Sequence, residues 1–212
     1  MDTSTQSPTF TTLGCLDDIM PDIDLPMILS FACPTSRLQI AQQNLYRSFK
    51  SLLDKSPWLN GYIHSNVGGL AGSYRVGSKF LSHSAALLSS DVEHMNDKRE
   101  KIEFQDLSSH TKYKAKTYSE LVSENMPNRY LSPKLLVPNR TTENPNVKHA
   151  IRARVSFVKH GVFVVLSTSH SLMDATSLSA IFGEWLPPRE EKNLHSYCIH
   201  LSGDLVGPAP AS

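Results

Sequence analysis

Cysteine is scarce in this chain. Three cysteines in 212 residues, Cys15, Cys33 and Cys198, are too few and too unevenly spaced for a disulfide framework. An excess of one charge is missing too. Twenty-one Lys and Arg against 20 Asp and Glu leave a formal charge of +1, without the basic surplus that nucleic-acid binding requires. No apolar run approaches the roughly 20 residues that span a bilayer. The opening Met1–Ser7 has neither the basic region nor the apolar core of a secretory signal. These absences set the expectation of a cytoplasmic protein with no nucleic-acid and no membrane partner. Phosphate-cradling glycine loops are also absent. No Gly-x-Ser-x-Gly elbow surrounds Ser167, Thr168 and Ser169, so a serine nucleophile is not expected there. His195, Cys198 and His200 offer metal-ligand types, but a closed zinc site needs four ligands with paired spacing. The expectation is no metal.

What is present is apolar patterning. Hydrophobic residues make up 40% of a chain long enough for one well-buried domain. The run Gly161–Ser169 is apolar or small at nearly every position, which predicts a strand buried on both faces. Leu178, Ile181, Phe182 and Trp185 then recur at i, i+3, i+4 and i+7, the stripe of a core-facing helix. Between them lies Ser169-His170-Ser171-Leu172-Met173-Asp174. A histidine at the carboxyl end of a strand, on a strand-to-helix corner, is placed to face a cleft. Asp174 falls at the helix start, where a carboxylate caps free N–H groups and meets the positive end of the dipole. Two readings of the corner stay open on this pattern. In one, the imidazole acts on a ligand; in the other, His170 only bonds backbone and Asp174 is a plain cap.

Elsewhere the pattern predicts a strand over residues 24–33, with Pro26 confining its start to an edge or a bulge. Ser36 and Gln39 suggest a capping box for a helix carrying Leu38, Ala41, Leu45, Phe49 and Leu52, which Pro57 ends. Short strands are expected at 59–65 and 73–77, around a Gly68-Gly69 turn. Residues 78–145 give only a strand at 102–104 and a helix near 118–125, and four prolines mark the remainder as loop-rich. Residues 150–157 alternate as a half-buried strand, joined by a tight turn at Lys159–Gly161 to the next strand. Loose basic clusters (Lys98, Arg99, Lys101; Lys112, Lys114, Lys116) read as solvated faces. The alternative is contact with the phosphates of a coenzyme.

The corner His170–Asp174 with its continuation Ala175-Thr176-Ser177 resembles the HxxxD region of acyl-CoA-dependent acyltransferases of the BAHD type. The closest likeness is to their fungal, trichothecene 3-O-acetyltransferase-like branch. Leu16–Pro21 with the apolar Met27–Phe31 resembles that branch's opening strand, and Ser56–Gly61 resembles its "P-x-L-x-G" step. Two departures stand out. Ala175 takes the place of the glycine that many members carry, and the second motif of the Asp-Phe-Gly-Trp-Gly kind does not occur. The resemblance thus covers half of a two-domain enzyme. It implies an α/β fold with a mixed sheet and flanking helices, like the amino-terminal half of a chloramphenicol-acetyltransferase-like fold. The expected division is a flexible amino end at 1–12, an acyltransferase-like domain at 13–186 and an irregular tail at 187–212, with the second domain missing.

The same resemblance implies a function. An acyl group, acetyl by expectation, would pass from acyl-CoA to a hydroxyl of a secondary metabolite. His170 would be the catalytic base and Asp174 a structural residue. Acyl-CoA would be a co-substrate, with no bound cofactor. Partners would be the small-molecule acceptor, acyl-CoA and either a second-domain partner or another copy of the chain. Two alternatives accompany this reading. One is a truncated, non-catalytic remnant or half-enzyme needing a partner. The other is a condensation-domain-like amide former, whose His-His-x-x-x-Asp-Gly motif is broken here at Ser169 and Ala175.

Overall fold

The structure is a computed structural model that describes residues 10–12, 23–64, 80–82, 101–142, 147–186 and 195–198, with backbone alone at 10–12, 64, 80–82 and 195–198. In chain order its elements are β1 (Phe10–Thr12), β2 (Asp24–Ala32), α1 (Leu38–Lys55), β3 (Tyr62–His64), β4 (Phe80–Ser82), β5 (Ile102–Asp106), α2 (Tyr118–Ser123), α3 (Pro133–Leu136), β6 (Val147–His149), β7 (Ile151–Val158), β8 (Gly161–Ser169), α4 (Ala175–Trp185) and β9 (His195–Cys198). Single 3-10 turns lie at Thr35–Arg37, Pro57–Asn60 and Asn128–Tyr130.

Two sheets result. The larger has the order β5-β7-β8-β2-β9 and the smaller β1-β4-β3-β6. Among the described strands only the β5–β7 pair is parallel, so the larger sheet is mixed and the fold is α/β with flanking helices. β7 and β8 form the expected hairpin, turning through Lys159 and His160. His160 takes φ 61°, the left-handed conformation that the paired turns of hairpins demand. β2 pairs with β8 from Asp24 to Ala32, whereas β9 joins it only from Met27 to Ser30. Pro26 therefore lies where β2 is an edge, as its missing N–H requires.

Alternation in β2, β7 and β8 divides the apolar residues between two faces. Leu25, Met27, Leu29, Val155, Val164 and Leu166 meet Phe49 and Leu52 of α1 and Leu178, Phe182 and Trp185 of α4. The helical stripes read from the sequence are the ones that pack here. Trp185 is fully buried, with its ring centroid 4.9 Å from that of Phe49 and its Nε1 donating to the Leu45 carbonyl at 3.1 Å.

The opposite face is covered by the loop-rich middle, where Tyr113, Tyr118, Leu121, Met126 and Leu136 pack on Ile28, Phe163 and Val165. This corrects the reading of β7 as half-exposed. Arg152 and Ser156 on its polar side are buried, because residues 135–139 lie across them with carbonyls that no sheet ladder uses. Arg154 donates to the carbonyls of Leu135 (3.1 Å) and Val137 (2.9 Å), and Arg152 to that of Asn139 (2.7 Å). Gln105 bridges the Leu135 carbonyl and Ser156. Buried guanidinium and amide groups thus satisfy backbone that has no regular partner.

Other expectations also change. α1 begins after the Thr35–Arg37 turn and has no side-chain cap, so Ser36 and Gln39 form no capping box. The box occurs instead at α2, between Thr117 and Glu120. The predicted strand at 59–65 is a 3-10 turn followed by β3, and the one at 150–157 is interrupted at Ala150. Short strands occur at Phe10–Thr12 and His195–Cys198, where the sequence predicts none. The 73–77 strand and the Gly68-Gly69 turn lie outside the described residues. Among the basic residues, Lys101 sits 4.3 Å above the Tyr62 ring and Lys116 pairs with Glu124.

Candidate active site

β8 ends at Ser169, and the chain turns through His170–Leu172 before α4 opens behind Asp174. Main-chain bonds from both sides fix this turn. The His170 N–H donates to the Ile23 carbonyl at 2.9 Å, and the Ser169 carbonyl accepts from Leu172 (3.0 Å) and Met173 (3.2 Å). Ser169 Oγ accepts from the Ser171 N–H at 3.2 Å. One residue earlier, Thr168 Oγ1 donates to the Ala150 carbonyl at 2.9 Å, at the break between β6 and β7. Met173 anchors the turn in the helix-side core, and Leu172 packs beside Ile63, Ala150 and Trp58.

His170 itself is half-buried. Among the described residues no hydrogen bond engages its imidazole; its backbone carries the anchoring.

Asp174 is the N-cap of α4, in extended conformation, and its Oδ1 accepts from the Ser177 N–H at 2.7 Å. That amide, then the Ser177 hydroxyl and least the neighbouring His170, hold the carboxyl below its ordinary pKa. Being exposed and engaged in the cap, Asp174 shapes the turn. The structure thus brings His170 and Asp174 to one corner.

Two residues that sequence patterning does not single out join it there. Asp24 opens β2 opposite Ser169. The fully buried Arg140 donates to Asp24 Oδ1 through Nε (3.1 Å) and Nη2, and to the His149 carbonyl through Nη1 (2.7 Å). Asp24 and Arg140 are 116 positions apart and show no shared periodicity; only the fold makes them neighbours. Among the described residues no group of three His, Cys, Asp or Glu side chains could hold a metal ion. The side chains of His195, Cys198 and His200 lie outside that description. No helix among the described residues is long and apolar enough to cross a membrane.

No family model matches the chain, and no curated protein matches it by sequence. Solved structures do match by fold. Against F. graminearum TRI101, a trichothecene 3-O-acetyltransferase, complexed with ethyl coenzyme A, the TM-score is 0.66 at 16% identity, covering 84% of this chain and 38% of that one. F. sporotrichioides TRI101 complexed with coenzyme A and T-2 gives 0.63 at 17% identity, covering 84% and 40%. F. graminearum TRI101 complexed with coenzyme A and deoxynivalenol gives 0.65 at 17% identity, covering 84% and 37%. The chain spans about two fifths of the length of these structures and shares their mixed α/β fold over that part.

Proposed function

We propose that this chain serves acyl transfer from acyl-CoA, with acetyl the expected group, to a hydroxyl of a secondary metabolite, and that His170 is the general base. One observation carries the reading. In a fold shared with TRI101, a histidine stands on the strand-to-helix turn with its backbone tied down and, among the described residues, no hydrogen bond to its imidazole. His170 takes the proton of the acceptor hydroxyl as its oxygen adds to the thioester carbonyl. The tetrahedral intermediate collapses, the C–S bond breaks, and the thiolate of coenzyme A recovers the proton from the imidazolium. No covalent enzyme intermediate is needed. Asp174 keeps the turn in shape. Residues 13–186 form the acyltransferase-like unit in this proposal, and β1 and β9 from the flanking segments add edge strands to its sheets.

In the second reading, the match covering 38% of the TRI101 chain, the transfer site is completed by a second domain, whether of the same polypeptide, of a partner or of another copy of this chain.

The test measures release of free thiol from acetyl-CoA in the presence of trichothecene alcohols and other hydroxylated acceptors. Wild type and His170→Ala are compared, each alone and mixed with a separately produced carboxyl-terminal domain of TRI101. General-base help is worth about 10²- to 10⁴-fold, so His170→Ala is expected to lose at least about a hundredfold in kcat. Turnover that is equal in the two proteins rules out His170 as the base. Turnover only in the mixture favours the half-site.

A further inference from the structure

The ion pair between Arg140 and Asp24 does more than bury charge, because of what lies on either side of it. On one side Arg140 is locked to β6. Its Nη1 donates to the His149 carbonyl at 2.7 Å, and the His149 N–H returns a bond to the Arg140 carbonyl at 2.9 Å. On the other side its Nε and Nη2 hold Asp24, the first residue of β2. The residue before it, Ile23, supplies the carbonyl that holds the His170 N–H. β6 belongs to the smaller sheet and β2 to the larger. The guanidinium is therefore a staple across the two sheets, set at the end where His170 sits.

Among the described strands, that end of β2 is held by β8 on one side alone. β9 joins β2 only from Met27 onward, Ile23 is 39% exposed, and Pro26 has no N–H to give. Strand ends open locally more often than strand centres. Without an anchor at Asp24, the Ile23 carbonyl would leave with the fraying end, and His170 would lose its tie to β2. Lysine cannot reproduce the anchor in full, since the planar fork reaches an acid and a carbonyl together.

We infer that Arg140 is a positioning residue for His170: through Asp24 it holds the Ile23 carbonyl that fixes the catalytic turn. The catalytic meaning of this staple rests on the proposed role of His170, but its existence does not, and the two are tested apart.

The experiment is residue-resolved amide exchange, with the imidazole Cε1–Hε1 resonances, on the isotope-labelled full chain and three variants. Asp24→Asn keeps shape and an acceptor oxygen but loses the charge. It is expected to speed exchange at the His170 amide about tenfold while Phe163 and Val164 stay within about twofold. Arg140→Ala is expected to exceed that, and Arg140→Lys to restore part of the protection. The His170 ring resonance should shift in Asp24→Asn and Arg140→Ala, with those of His110 and His160 unmoved. An ion pair that only stabilises the fold would raise exchange at Val164 in parallel and leave the His170 ring unchanged, and either result overturns the inference. So does unchanged exchange at His170. Should Arg140→Ala fail to fold, Asp24→Asn and Arg140→Lys decide the matter. Full turnover in His170→Ala would remove the base while leaving these exchange results intact, so the two failures are distinguishable.

Discussion

A methyl group is enough to test how the hairpin meets its cover. Gly161 opens β8, and a Cβ built there would stand 2.4 Å from Cβ and Cγ of Tyr118. Tyr118 has nowhere to retreat. Its N–H donates to the Lys159 carbonyl at 2.8 Å, and its hydroxyl lies 3.2 Å from Ser30 Oγ in the buried layer. Glycine is needed here for close approach, since Tyr118 packs on the backbone itself. Gly161→Ala is expected to cost about 1–3 kcal/mol by overpacking, read as a lower urea midpoint at unchanged slope. A midpoint equal to wild type would mean that α2 does not rest on this hairpin. Tyr113, in the same layer, shows the chemistry of that face: its buried hydroxyl donates to the Tyr130 carbonyl, and burial first, then Tyr130, push its pKa well above that of ordinary tyrosine.

Helix caps are where this protein should feel acid. Asp174 caps α4 through the Ser177 N–H. Glu120 closes the capping box of α2, accepting from the Thr117 N–H at 2.6 Å. Both carboxyls are held below their ordinary values, Asp174 first by the Ser177 amide and Glu120 first by the Thr117 amide. A depressed folded-state pKa gives stability that is whole above the ordinary carboxylate value near 4 and is lost as pH falls through the folded value. Urea unfolding followed between pH 7 and 2 should therefore show a decline below about pH 4 that is shallower in Asp174→Asn and in Glu120→Gln. Identical curves for wild type and both variants would remove the caps from the acid response.

The capped helices also show what could be read beforehand. The stripes of α1 and α4 and the apolar run of β8 were legible, because one-dimensional periodicity is what a helix or a buried strand imposes on a sequence. His170 and Asp174 were legible as a corner for the same reason. Thr117 and Glu120 have the right spacing for a box, yet no long stripe follows them to draw attention to it. Of the cover at 107–137 only the helix near 118–125 was legible, found as α2; the rest was not, because its buried side chains, such as Tyr113 and Tyr130, follow no period. Arg152 and Arg154 read as the polar side of a half-buried strand, and no pattern marks Arg140. The carbonyls of Leu135, Val137, Asn139 and His149 turn them into interior donors.

At the scale of the whole molecule, the helical layer on the larger sheet reaches the His170 corner through α4. Its first turn is capped by Asp174, and its last residue, Trp185, is fully buried between Phe49 and Phe182 and tied to the Leu45 carbonyl. Replacing a buried tryptophan by alanine typically costs about 3–5 kcal/mol, a large share of the roughly 5–15 kcal/mol that a domain has in total. Trp185→Ala is therefore expected to lower the unfolding free energy by about that amount. Because Trp185 bears on the sheet through two helices, the loss should be global: amide exchange should rise together at Phe163, Val164 and His170. The staple at Arg140 acts on one strand end and should not move the strand centre. Measuring both variants side by side separates the two designs. A loss below about 1 kcal/mol in Trp185→Ala, far under the usual cavity cost, would mean that α4 does not depend on this packing. The anchoring of His170 would then fall to the strand side of the turn alone.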